Sequence, residues 1–160
     1  MPRIRYSPES VVIPDDPAAI LECAACHIEH VGIHHGRNLF AGPGCTATLA
    51  CWPRGAVEVA ADEGQGSSSR TYDWDRIHRA RDEAFRVLAE TLAGQPVHGD
   101  DPDTAKSMHR DVIDHWSAEP GRTAEDAARA FRTAALAERH APSSATPPAP
   151  PQVSQPRRTR

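Results

Sequence analysis

The stretch CAACHIEHVGIHH, residues 23–35, sets the first expectation for the fold of this chain. It places two of the four cysteines and four of the nine histidines within one short segment. Thiolate and imidazole are the side chains that bind zinc best. The segment therefore predicts a metal site, in which Cys23 and Cys26 grip one ion with the C-x2-C spacing of a zinc knuckle.

The other two cysteines, Cys45 and Cys51, are candidates to complete this site. With them the pattern becomes C-x2-C-x18-C-x5-C, which partly resembles a zinc ribbon. A straight strand would hold Cys45 and Cys51 about 20 Å apart at roughly 3.3 Å per residue, whereas two ligands of one zinc lie within about 4 Å. Either this stretch turns back on itself, or one of these cysteines stays outside the site and the missing ligand is His27, His30, His34 or His35.

The residues around the cysteines favour β-structure. Apolar and polar residues alternate near Val31 and Ile33, and residues 46–50 and 56–60 have the composition of two strands. The sequence Pro53-Arg54-Gly55 between them is typical of a turn, so a hairpin is predicted. We therefore expect an N-terminal β unit over residues 1–63, stabilised by a structural zinc ion because so small a unit buries little apolar area.

The periodicity of the chain changes after residues 64–70, a Gly/Ser-rich stretch with the composition of a linker. Apolar residues then recur at helical spacing through residues 71–140, which predicts three helices. Their starts are marked by Asp73, by Asp101-Pro102 and by the capping-box pair Thr123 and Asp126. Residues 141–160 are rich in proline and end in arginines, so a disordered basic tail is expected. The predicted fold class is α+β: a small Cys/His β unit followed by three helices and this tail.

The charge of the chain limits its partners. The formal net charge is -4 although Arg157, Arg158 and Arg160 lie in the tail, so the rest of the chain is more acidic still. An acidic body argues against binding nucleic acid over the whole surface, which needs a basic face. No run is long and apolar enough to span a bilayer and no targeting segment is visible. We therefore expect a cytoplasmic protein without a membrane partner, and the oligomeric state stays open.

In its Cys/His segment and composition the chain resembles small zinc-binding accessory proteins of actinobacterial plasmids and integrative elements, which implies a role in plasmid transfer or regulation. The leading interpretation is a non-enzymatic, metal-stabilised binding module for nucleic acid or a protein partner, with no catalytic residue. One alternative is a metal-dependent hydrolase or nuclease, because the stretch from Leu21 to His30 resembles the end of the HNH nuclease motif. The other alternative is a helical protein-interaction protein without metal.

Overall fold

The computed structural model describes residues 14–61 and 73–141, and these residues form five α-helices. The helices are α1 (Pro17–Val31), α2 (Pro53–Ala61), α3 (Trp74–Ala93), α4 (Pro102–Ser117) and α5 (Ala124–His140). Within the described ranges β-structure is limited to isolated bridges at Cys51. The predicted α+β class, with a β unit at the N-terminus, is therefore wrong.

Helix α1 occupies residues 17–31, where the sequence predicts part of the N-terminal β unit. It begins at an Asp-Pro pair, in which the Asp16 carboxylate accepts a hydrogen bond from the Ala19 amide at 2.9 Å. Pro17 occupies the first helical position, where its missing N–H costs nothing. The helix ends at Gly32, whose φ of 87° is readily adopted by glycine. Pro17 is therefore part of the start of this helix.

The predicted hairpin is also replaced by helical structure. Residues 46–48 form one 3-10 turn, and the expected turn Pro53-Arg54-Gly55 is the first turn of α2. Ala56, Val57 and Ala61 are buried, which fits one face of a helix, whereas a strand would bury alternate residues. The alternation seen in the sequence at residues 56–60 was too short to distinguish the two structures.

The three helices predicted for residues 71–140 are confirmed, together with their caps. The Asp101 carboxylate accepts from the amides of residues 103 and 104, at 3.0 Å each. Thr123 and Asp126 form the reciprocal capping box at the start of α5. The predicted linker at 64–70 and tail residues 142–160 lie outside the described residues.

One hydrophobic core joins all five helices. Its largest fully buried side chains include Ile20, Leu21 and Ile28 of α1, Leu88 of α3 and Phe131 of α5. Helix α1 packs mainly on α5 and α2, and α3 packs on α4 and α5. The segment that carries Cys23 and Cys26 therefore belongs to the same core as the C-terminal helices.

Two ion pairs join α1 to α5. Arg132 binds Glu29 through two hydrogen bonds of 2.7 Å, and Arg139 binds Glu22. The partners are seven residues apart on both helices and pair in reverse order, so the helices run antiparallel. The glutamates flank one side of α1, where each faces an arginine.

The surfaces of the helices are strongly charged. Between α3 and α4, the Asp82 carboxylate contacts Arg81, Lys106 and Arg110. Arg54 of α2 binds Asp114 of α4 at 3.0 Å. Among the described ranges, none of the helices combines the length and apolar character needed to cross a bilayer.

Candidate metal-binding face of helix α1

Four of the predicted ligands share one side of α1. Cys23, Cys26, His27 and His30 stand at positions i, i+3, i+4 and i+7 of one continuous helix. At 3.6 residues per turn these positions fall within a sector of about 100°. The buried residues of α1, such as Leu21, lie largely on the other side. We call the four residues the Cys/His face.

The Cys/His face is partly accessible. Cys26 and His30 are exposed, whereas Cys23 and His27 are half-buried. Cys26 and His30 are therefore open to solvent, while Cys23 and His27 lie in a drier environment. Partial burial strengthens the interaction between an ion and its ligands because water screens it less.

His27 has one ring nitrogen that is left without a hydrogen-bond partner. Its Nε2 atom is buried and, within the described part of the chain, is the one buried side-chain nitrogen or oxygen without a hydrogen-bond partner. Burial, with a smaller contribution from neighbouring His30, lowers the pKa of the His27 ring. The ring is therefore neutral at pH 7, which is the form that binds metals.

Cys23 is held as a thiol. Burial raises its pKa, and the nearby Cys26 and Glu22 raise it further. A thiol with a raised pKa is a poor nucleophile at neutral pH, because the reactive form is the thiolate. A bound cation would reverse the effect by stabilising the thiolate.

The geometry of the cysteine pair suits a metal better than a disulfide. Positions i and i+3 of a helix hold their Cβ atoms about 5–6 Å apart, whereas a disulfide requires roughly 3.5–4.5 Å. A tetrahedral zinc with bonds of about 2.3 Å holds two sulfurs roughly 3.8 Å apart, which Cβ atoms at helical spacing can reach. All four cysteines are free thiols.

A fixed positive charge lies beside the Cys/His face. The Arg132 guanidinium has a raised pKa, chiefly through its hydrogen bonds to Glu29, and the neighbouring Cys26 sulfur contributes as well. Sequence reasoning missed Arg132 and Glu29, which are 103 residues apart. Arg132 reaches Glu29 only because α5 packs on α1. The position of Glu29 beside Cys26 could have been predicted, since residues 26 and 29 are neighbours on one side of a helix.

The remaining predicted ligands lie elsewhere. Cys51 is fully buried, its amide donates to the Gly32 carbonyl at 3.2 Å, and its carbonyl accepts from the His34 amide at 3.0 Å. Burial raises the pKa of the Cys51 thiol to about 12. Cys45 is exposed, and the His34 ring lies so close to Gly36 that a Cβ there would be 2.4 Å from its Nε2.

No complete metal site is assembled by the side chains as they stand. In residues 14–61 and 73–141, no group of three His, Cys, Asp or Glu residues is arranged to hold an ion. The four cysteines of the C-x2-C-x18-C-x5-C pattern thus lie in three places. Cys23 and Cys26 are on the Cys/His face, Cys51 is buried, and Cys45 is exposed. Binding on the Cys/His face requires its side chains to change rotamer.

Another candidate site in the described residues is a small cavity between the C-terminal end of α4 and the loop before α2. Its volume is about 290 Å³, and it is lined by His35, Trp52 and residues 117–121. The Trp52 indole N–H donates to the Gly36 carbonyl at 2.9 Å, and the Ser117 hydroxyl donates to the Ile113 carbonyl. These polar groups are used within the protein, and the volume lies just below the range of ligand pockets, roughly 300–1,000 Å³.

Fold and site together define a small helical protein whose first helix carries a Cys/His face. The chain belongs to the family of unknown function DUF6197, whose profile matches residues 12–137. The matched range contains α1 to α4 and all but the last turn of α5. No curated protein and no solved structure matches the chain.

Proposed function

We propose that this chain is a small, non-enzymatic binding module that takes one zinc-class divalent ion on the Cys/His face of α1. The observation that supports this most directly is the grouping of Cys23, Cys26, His27 and His30 on one side of a helix, with His27 Nε2 buried and unpartnered. Two thiolates and an imidazole form a donor set typical of zinc.

The first three residues of this face are the proposed ligands. Cys23, Cys26 and His27 stand at i, i+3 and i+4, so they span only about 6 Å along the helix axis. His30 lies about 10 Å from Cys23 along the axis. One ion is therefore reached more readily by the first three than by all four, and a fourth coordination position remains.

In this proposal the fold does not depend on the ion. Zinc was expected to staple a small β unit, but α1 is buried against α2 and α5 through an ordinary hydrophobic core. A site on a helix that is already formed is filled and emptied without unfolding. We therefore propose an exchangeable site and not the closed structural zinc predicted from the sequence.

The surface charge favours a protein partner over nucleic acid. Phosphate binding needs arginines that are not already neutralised. Among the described arginines only Arg37 and Arg79 lie outside an ion pair with Asp or Glu. The paired ones are Arg54, Arg76, Arg81, Arg86, Arg110, Arg122, Arg129, Arg132 and Arg139.

We propose a cytoplasmic location, where thiols stay reduced.

Three interpretations remain predictions. The resemblance to accessory proteins of plasmids and integrative elements is not tested by the family match, because that family has no assigned role. The metal-dependent hydrolase or nuclease would use the same ligands with a water in the fourth position. The metal-free interaction protein differs from both, since its purified form would bind no ion.

The proposed ligands are tested by titrating reduced protein with Co²⁺ as a spectroscopic substitute for Zn²⁺. We expect one ion per chain with thiolate-to-cobalt charge-transfer absorption. Cys26→Ser and His27→Ala should each weaken metal binding by more than about 100-fold. Mutation of an outer-shell residue already weakens metal affinity about 10–100-fold, and loss of a residue that binds the ion directly should cost at least as much. Cys45→Ser is the matched control and should bind as the native chain does. An equal loss in Cys45→Ser, or no binding by the native chain, would contradict the proposal.

Metal affinity should rise with pH. The pKa of Cys23 is raised, so binding at neutral pH must displace its proton, and this alone strengthens affinity about tenfold per pH unit. The lowered pKa of His27 means that its ring adds no proton release near pH 7. Competition titrations between pH 6.5 and 8.5 measure the slope. Cys23→Ser should reduce that slope by one proton, and an unchanged slope would argue that Cys23 is no ligand.

A further inference from the structure

We propose that a second copy of this chain completes the metal site. In this arrangement two α1 helices face each other, and the ion held by Cys23, Cys26 and His27 of one copy takes His30 of the other copy as its fourth ligand. The inference rests on the proposed function and adds its partner. It predicts a dimer that forms only with metal and contains two ions.

The first argument is the number and spacing of the ligands. The face carries four ligand side chains, but one helix brings three of them around an ion most readily. Each chain therefore leaves one coordination position of its ion open and one ligand, His30, unused. In a dimer, His30 of each copy can fill the open position of the other copy. In residues 14–61 and 73–141 no group of three or more His, Cys, Asp or Glu residues is arranged to hold an ion, so the same chain has no residue in place to close the proposed site. A second copy supplies the missing ligand without any other component.

The second argument is symmetry. In a two-fold dimer the same surface meets itself, so that if residue i contacts residue j, then j contacts i. Two antiparallel α1 helices would place His30 of each copy opposite the ligand group of the other. The four residues at i, i+3, i+4 and i+7 also outline the hole that a facing side chain enters when helices pack knobs-into-holes. Both composite sites would thus form in one step.

The third argument is that the charges on this side of α1 allow a close approach. Glu22 and Glu29 flank the face, but each is bound to an arginine of α5 in the same chain. Two copies would therefore not meet with bare carboxylates, which would repel at short range. The most accessible groups on the face are Cys26 and His30, so a ligand from outside can reach the ion.

The test measures mass and metal content together. Sedimentation velocity of reduced native protein should show a monomer in chelator and a doubling of mass with one equivalent of Zn²⁺, at one ion per chain. His30→Ala should keep its ion but remain a monomer, whereas His98→Ala, which changes an exposed histidine outside α1, should dimerise normally. Dimerisation of His30→Ala to the native extent would overturn the inference.

A mixing experiment separates this inference from the proposed function. Cys26→Ser lacks a ligand of the first group and His30→Ala lacks the fourth, so each alone should remain monomeric with Zn²⁺. Mixed in equal amounts they should form a heterodimer with one intact composite site and half the native metal content. If native protein binds one ion and stays monomeric, the inference fails and the proposed function stands. If native protein binds no ion, both fail.

Discussion

Phe131→Ala is expected to lower the free energy of unfolding by about 3–5 kcal/mol, the usual cost of removing a buried phenylalanine side chain. Phe131 has no exposed surface and belongs to the single core cluster. It lies on α5, which packs on both α1 and α3, so the cavity would open where three helices meet. Because a domain of this kind is stable by only about 5–15 kcal/mol, the change would remove a large share of the total. Urea unfolding followed by circular dichroism measures it.

The matched control is Leu136→Ala on the same helix. Leu136 is 54% exposed, so its truncation should change the stability by less than about 0.5 kcal/mol. Both changes leave alanine in α5, so helix propensity affects the two variants in a similar way. Equal losses in the two variants would contradict the packing of α5 described above.

Raising the pH above about 9 is expected to destabilise the protein through Cys51. Burial raises the pKa of this thiol from an ordinary 9.0 to about 12. The unfolded chain releases the proton first, so the contribution of Cys51 to stability is complete below pH 9. It is lost as the pH rises towards 12. Three pH units correspond to a loss on the order of 4 kcal/mol at 1.36 kcal/mol per unit.

The contribution of Cys51 is isolated by a pH series on Cys51→Ala. Its unfolding free energy should fall less steeply than that of the native chain between pH 9 and 10.5, by roughly 2 kcal/mol over that interval. Other groups that titrate in this range are present in both proteins and cancel in the difference. Identical pH profiles would mean that the Cys51 thiol is not enclosed. Replacing Cys51 by alanine leaves a small cavity, which lowers the unfolding free energy of the variant by the same amount at every pH. The cavity therefore shifts the pH profile without changing its slope.

The C-terminal helices were predictable because their signals are local. Asp101-Pro102 and the Thr123/Asp126 box satisfy backbone amides within one turn of their own positions, so no distant residue is needed to establish them. The same reasoning applied to Asp16-Pro17 would have found α1. In that segment the sequence prediction rested on the C-x2-C spacing of a zinc knuckle, but one helical turn also places two cysteines three residues apart.

The N-terminal half was not predictable to the same degree because its local patterns fit two structures. Residues 56–60 alternate like a strand, yet their burial follows a helix. What decides between them is the surface against which the segment packs. Here that surface is α1 and α3, which the sequence of the segment cannot specify. The predicted β unit failed for this reason.

The sequence by itself determined which ligand residues the chain possesses, where three of its helices begin, and how acidic its body is, because these depend on residue type and near neighbours. Only the tertiary structure decided that Cys51 is buried while Cys26 is exposed, and that Arg132 reaches across to Glu29 beside Cys26. Burial and long-range pairing depend on how helices from both halves of the chain share one core. For the same reason, four Cys and His residues that sequence reasoning placed on β-structure form one face of a helix.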